Sequence, residues 1–166
     1  MGGYNQKRIC MEIGVYCTSI RPHLWNELHK SLSQNNVKFN LCITGPCPPI
    51  EPLPGNIKYI STNVKPPQCN FIAINNTTGD YVLSVTDDLR YSSGTLDNLA
   101  DIILKNPNVI TCPIFKTIGN QEGHYFFIVE RGWQRDDKTP KVIKLDFPLP
   151  AGALMRRKTF NRMYLR

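Results

Sequence analysis

A chain of 166 residues, 41% hydrophobic and 20% charged, is long enough for one domain with its own core, and none of its runs approaches the roughly 18 apolar residues that a membrane-spanning helix takes. Its formal charge of +7 favours an anionic partner, whether nucleic acid, a membrane surface or a phosphorylated small molecule, without choosing among them. The six cysteines Cys10, Cys17, Cys42, Cys47, Cys69 and Cys112 form no Cys-x-x-Cys pair, so free thiols are expected in place of disulfides, and the Gly-Pro turn between Cys42 and Cys47 argues against zinc.

Met1 to Arg8 carries no apolar signal core, which predicts a short polar lead-in and a cytoplasmic protein. Met11, Ile13, Val15 and Cys17 then alternate as a strand does, and Thr18-Ser19-Ile20-Arg21-Pro22 supplies a capping hydroxyl and a proline for a helix over Pro22 to Gln34. Leu24, Trp25, Leu28 and Leu32 form its apolar stripe. A second strand over Phe39 to Thr44 runs into Gly45-Pro46 and a proline-rich surface loop ending near Pro54.

Ile57 to Ile60 reads as a third strand, and Pro66-Pro67 opens a helix bearing Phe71, Ile72 and Ile74 that Gly79 closes. Tyr81 to Val85 is a buried strand whose end carries Thr86, Asp87 and Asp88. Ser92 or Ser93 caps the next helix, with Leu96, Leu99, Ile102 and Ile103 inward until Asn106-Pro107, and a further strand spans Val109 to Phe115. Strands alternating with helices predict an α/β fold, a mostly parallel sheet with helices on both faces.

After Lys116 the alternation stops. Tyr125 to Val129 and Val142 to Phe147 read as strands joined by the polar stretch Gly132 to Lys141, a hairpin-like insertion or mobile flap. Arg156, Arg157, Lys158, Arg162 and Arg166 crowd the last eleven residues, most simply a solvated face. Charge without a recognition helix or aromatic RNA-binding motif does not make a nucleic-acid-binding domain.

Two acids where a buried strand ends suit a metal site, since ligands of open α/β sheets bind beyond the carboxyl ends of the strands. The bland alternative is a solvated turn or a helix N-cap.

This order of elements, with Asn-x-Thr-Gly-Asp-Tyr-Val-Leu (Asn76 to Leu83) leading into an acidic strand end, resembles the GT-A fold nucleotide-diphospho-sugar transferases, especially family-2 glycosyltransferases. The first strand with Thr18 to Pro22, the helix Gln68 to Asn76, and the segment Pro150 to Phe160, similar to the family's Gly-x-x-x-x-x-Arg-x-x-Phe, carry the likeness over nearly the whole chain. The resemblance implies one domain, 1–166, with 1–115 the nucleotide-sugar-binding half and 116–166 a small, β-rich acceptor-side portion. It implies transfer of a sugar from a nucleoside-diphosphate sugar to an acceptor hydroxyl with inversion. The other implied function is a degenerate module that binds a nucleotide or a partner protein without turnover.

Carried onto this sequence, the resemblance makes Thr86-Asp87-Asp88 the Asp-x-Asp position, with Asp88 holding Mg2+ or Mn2+ on the donor diphosphate and Asp87 assisting at the metal or the ribose. Thr18 and Arg21 would meet the nucleotide, Lys65 or Gln68 the base or a phosphate, and Arg156 and Arg157 the acceptor side. The pattern departs at Thr86, which replaces the first acid, and at Thr44-Gly45, where an acid usually reads the base. The chain also stops near where the family continues to its catalytic base. Asp136, Asp137 and Asp146 are the substitutes the resemblance leaves, with donor, acceptor and base unassigned.

Overall fold

The computed structural model describes residues 11–113 and 152–162, and the backbone alone of 126–129, 132–135, 163 and 164. Met1 to Cys10, His124, Asp136, Asp137, Asp146 and the strand expected over Val142 to Phe147 lie outside the described residues.

Ile13, Val15 and Cys17 are wholly buried because β1 (Glu12–Thr18) is the central strand of five. Parallel β2 (Lys38–Gly45) and parallel β4 (Tyr81–Val85) flank it, so that Val15 faces Leu41 on one side and Leu83 on the other. β3 (Ile57–Ser61) pairs parallel with β2. The outer place beside β4 belongs to an antiparallel strand from late in the chain, here β7 (Leu154–Arg156), which gives the order β3-β2-β1-β4-β7.

Alternation along the strands divides the core into two layers. Ile13, Val15, Cys17, Leu41, Ile43, Leu83 and Val85 pack against α1 (Trp25–Leu32) and α3 (Thr95–Lys105), while Tyr16, Cys42, Val82 and Met155 pack against α2 (Pro66–Asn75) and α4 (Arg157–Tyr164). Each fully buried Leu or Ile contributes about 1.5–3 kcal/mol of transfer free energy. Both faces are therefore covered, as the alternation of elements predicts.

The helix expected over Pro22 to Gln34 is shorter. Pro22–Leu24 is a 3-10 turn, and α1 occupies Trp25–Leu32. Asn35 then ends it, its side-chain amide donating to the Leu32 carbonyl at 3.0 Å while its side-chain oxygen accepts the Leu96 N–H at 2.9 Å and so starts α3.

α3 has Gly94 at its N-cap, φ 79°, in place of Ser92 or Ser93, and Ser93 donates instead to the Gln34 carbonyl. Its buried side chains are Leu96, Leu99, Ala100 and Ile103, a strict helical stripe, and this turns Ile102 outward, 39% exposed.

Gly79 is not the end of α2, which stops at Asn75. Its φ of 92° and the Glu12 carbonyl oxygen, 2.3 Å from where a Cβ would stand, make it the glycine that lets the chain enter β4 close against β1.

No strand forms over 109–113. Thr111 makes a single antiparallel bridge to Leu154, because β7 has taken the sheet position beside β4. Part of the polar stretch expected to join two strands is itself a strand, β6 (Gly132–Arg135), which pairs antiparallel with β5 (Phe126–Val129), Ile128 in register with Trp133.

Candidate functional site

β1 and β4 lie side by side and parallel, but the chain leaves them in opposite senses, β1 toward β2 and β3 and β4 toward the edge that β7 completes. A crevice opens beyond the carboxyl ends of two strands whose connections diverge in this way. Thr18 to Arg21 follow β1 into it, and Thr86 to Asp88 follow β4.

Asp87 is buried, 3% exposed, and both its oxygens are taken. Ser19 Oγ donates to Oδ2 at 2.5 Å, Arg21 Nε donates to the same oxygen at 3.1 Å, and Arg21 Nη2 donates to Oδ1. Ser19 is held in turn by two donors, Trp25 Nε1 at 2.7 Å and the Arg21 backbone N–H at 3.0 Å. One hydroxyl thus gives its proton to the carboxylate and accepts twice, which uses its full capacity. Arg90 Nη1 donates to the carbonyls of Asp87 at 2.9 Å and Leu89 at 2.8 Å, bracing the turn from the other side.

The loop carrying Ser19 reaches this position only because β2 ends in glycine. A Cβ at Gly45 would stand 2.0 Å from the Ser19 carbonyl oxygen, and the Ser19 N–H donates to the Thr44 carbonyl at 2.9 Å. Thr44 itself, at the position the resemblance gives to a base-reading acid, is wholly buried and its hydroxyl donates to the Cys69 carbonyl at 3.1 Å.

Asp88 differs from its neighbour. Its side chain is 54% exposed, with Thr86 Oγ1 donating to Oδ1 at 2.7 Å and Arg21 Nη2 donating to Oδ2 at 2.9 Å. The Thr86 hydroxyl first, and then the Arg21 guanidinium, hold its carboxyl below the ordinary carboxylate value. Thr86, a departure from the acidic motif, therefore orients the acid that remains. The hydrogen bonds that Arg21 donates to Asp87, and then to Asp88, push its guanidinium pKa up, so it stays charged.

Thr18 Oγ1 donates to Asn70 Oδ1 at 2.6 Å, linking the end of β1 to α2. Lys65 and Gln68 are exposed at the start of α2, where Gln68 Oε1 accepts the Lys65 backbone N–H at 3.2 Å and so caps the helix.

Thr18, Arg21, Thr86, Asp87 and Asp88 are thus brought to one edge. Arg156 and Arg157 are not. Arg156 pairs with Tyr81 at the beginning of β4, six residues or about 20 Å of strand from Asp87. Arg157 is spent on the end of α2 and the turn into β4: Nε donates to the Gly79 carbonyl and Nη1 to the Ile74 carbonyl, both at 2.8 Å, and Nη2 to the Thr78 carbonyl at 3.1 Å. Loss of hydration there pushes its pKa down.

Among the described residues no group of three or more His, Cys, Asp or Glu side chains could hold a metal ion. Of the two acids that follow β4, Asp88 presents the accessible carboxylate, which suits Mg2+ or Mn2+ shared with a diphosphate better than a protein-only site. Cys17, Cys42 and Cys69 are buried free thiols. Burial pushes Cys42 up to about 11, and burial with the Asp87 charge pushes Cys17 higher still.

Four site residues carry little signal in the sequence. Ser19 stands in the capping segment with nothing to mark it as a partner of Asp87, and Trp25 fits the core stripe, its one polar cue being that a buried indole N–H requires an acceptor. Asn70 and Arg90 carry the weakest signals, a polar residue within a helical run and a charge two places past the acids.

A mostly parallel sheet with a polar, acidic crevice beyond β1 and β4 is the GT-A arrangement. The model for glycosyl transferase family 2 matches residues 50–163, and the chain belongs to that family. Solved structures agree on the fold. Staphylococcus aureus TarS 1–349 superposes with a TM-score of 0.67 at 16% identity, over 92% of this chain and 49% of that one. The same protein in complex with UDP gives 0.65 at 14% identity over 92% and 49%, and in complex with UDP-GlcNAc 0.55 at 18% over 67% and 36%. The chain spans about half the length of these structures or less. No curated protein matches it. No helix among the described residues is long and apolar enough to cross a membrane.

Proposed function

We propose that this chain forms the donor-binding part of a glycosyltransferase that moves a sugar from a nucleoside-diphosphate sugar to an acceptor hydroxyl with inversion, assisted by Mg2+ or Mn2+. One observation carries the reading: Asp88, half-exposed at the β1/β4 crevice and oriented by Thr86, in a member of glycosyl transferase family 2. TarS has been solved with UDP-GlcNAc and with UDP, so uridine diphosphate sugars are the first donors to test.

In this reading Asp88 holds the cation and Asp87, locked by Ser19, fixes Arg21. Thr18, with Asn70 behind it, faces the nucleoside, and Lys65 and Gln68, at the start of α2, are the candidates for the base or a phosphate. When bound, the cation would offset the charge that develops on the departing nucleoside diphosphate. The acceptor hydroxyl must lose its proton to a carboxylate on the opposite side of the sugar, the role for which Asp136, Asp137 and Asp146 are candidates. Free cysteines support a reducing, cytoplasmic setting.

Calorimetric titration with UDP-, GDP- and dTDP-sugars, with and without Mn2+, tests the proposal against Asp88→Ala. Metal-dependent binding of one donor, lost in the variant, is expected. Silence toward every donor would sink the assignment, and donor binding without transfer to any acceptor would favour a module that binds nucleotide without turnover.

A further inference from the structure

We infer that Arg21 gives the crevice a second grip on the diphosphate that works without a metal ion, so that nucleoside diphosphate binding has both a metal-supported and an arginine-supported part. The inference rests on the donor reading above and goes beyond it.

The argument starts from what Arg21 leaves unused. A guanidinium carries five N–H donors in a planar fork. Nε and Nη2 are committed to Asp87 and Asp88. Nη1 has no hydrogen-bond partner among the described residues, and the side chain is 44% exposed. Two charged N–H groups therefore stand free on a guanidinium bound directly to Asp88, the residue proposed to bring the diphosphate in.

The rest of the surroundings keeps that fork from moving. Asp87 is buried and holds Arg21 through two nitrogens, and Ser19 holds Asp87 while accepting from the Arg21 backbone and from Trp25. Pro22 follows immediately and fixes its own φ. An arginine immobilised this way loses little further entropy on meeting a phosphate, and its planar donors match phosphate oxygens in pairs. The bond from Nη2 to Asp88 is the exposed one. Releasing it to a phosphate oxygen would free an Asp88 oxygen for a cation while the Asp87 anchor keeps the guanidinium in place.

The geometry separates two demands on one residue. Beside the buried Asp87, Arg21 supplies the compensating positive charge; as a grip on diphosphate while still anchored through two nitrogens, it needs the fork. Arg21→Lys keeps the first and removes the second, since a single ammonium cannot satisfy Asp87 through two separate nitrogens and also present a free pair.

The test is UDP titration of the intact chain by calorimetry in EDTA and again in saturating Mn2+, for the wild type, Arg21→Lys and Arg21→Met, with a melting curve for each; GDP and dTDP replace UDP if UDP is silent. The wild type is expected to bind in EDTA, and Arg21→Lys to weaken that binding about tenfold while its Mn2+-supported binding changes less than about threefold and its melting temperature holds. Binding that appears only with Mn2+, or EDTA binding equal in wild type and Arg21→Lys, overturns the inference and leaves the donor reading intact. A parallel loss in both conditions that tracks a lowered melting temperature assigns Arg21 a structural role only and also overturns it. No binding of any of the three nucleotides in either condition overturns the donor reading itself.

Discussion

The indole N–H of Trp25 lies 2.7 Å from the hydroxyl oxygen of Ser19, and that hydroxyl donates to Asp87 at 2.5 Å. A core side chain of α1, 1% exposed, is thereby tied through one serine to the acid at the end of β4. The packing of one helix face sets the orientation of a carboxylate in the crevice.

Ser19→Ala removes that link and leaves the Trp25 indole N–H buried without an acceptor. A destabilisation of about 1–3 kcal/mol is expected, the range for orphaned buried polar groups, measured by urea unfolding. Trp25→Phe in the Ser19→Ala background should cost less than the two single changes added together, because the orphan disappears with the indole.

Asp87 and Asp88 should separate cleanly. Asp87→Ala strips a buried carboxylate from Ser19 and Arg21 and is expected to cost about 2–4 kcal/mol. Asp88→Ala, at a side chain 54% exposed, should cost less than about 1 kcal/mol and yet abolish the Mn2+ dependence of donor binding. Equal stability losses at the two positions would contradict the division of labour between anchor and ligand.

The Thr86 hydroxyl, ahead of Arg21, lowers the Asp88 carboxyl. Its folded pKa lies below the unfolded one, so the small stabilisation is complete above the ordinary carboxylate value and is lost as pH falls through the lowered folded one. NMR titration of the side-chain carboxyl should give a midpoint below the ordinary aspartate value in the wild type and a higher midpoint in Thr86→Val. An unmoved midpoint would show that Arg21 and not Thr86 dominates.

Arg157→Ala should destabilise the fold by about 2–4 kcal/mol, because the carbonyls of Ile74, Thr78 and Gly79 lose a charged donor together. Arg157→Lys should recover little of this, since one ammonium cannot span three carbonyls. Donor affinity in the folded fraction is expected to be unchanged, the site being at the other end of β4.

Much of this was legible in the chain. The alternation of Met11 to Cys17, the run Tyr81 to Val85 and the stripe Trp25, Leu28 and Leu32 fix strands and a helix by periodicity alone, and the acids after Val85 point to an edge. Local signals misled where a neighbour decided. Ile102 fits the helical spacing roughly, but the narrower stripe through Ala100 is what meets the sheet. Gly79 has the look of a helix cap and is required instead by the Glu12 carbonyl. Val109 to Phe115 is apolar enough for a strand, yet over the described part of that run only Thr111 bridges to the sheet, because Leu154–Arg156 takes the outer position.

The sequence by itself determined which segments are apolar on which side, since periods of two and of 3.6 residues are properties of the local backbone, and it placed two acids at the end of a buried strand. Only the tertiary structure decided what those acids do. Ser19, Arg21 and Asp87 are separated by 68 residues or fewer along the chain and by single hydrogen bonds in space, and nothing in a linear pattern says which of two adjacent carboxylates will be buried against an arginine and which left open to a ligand.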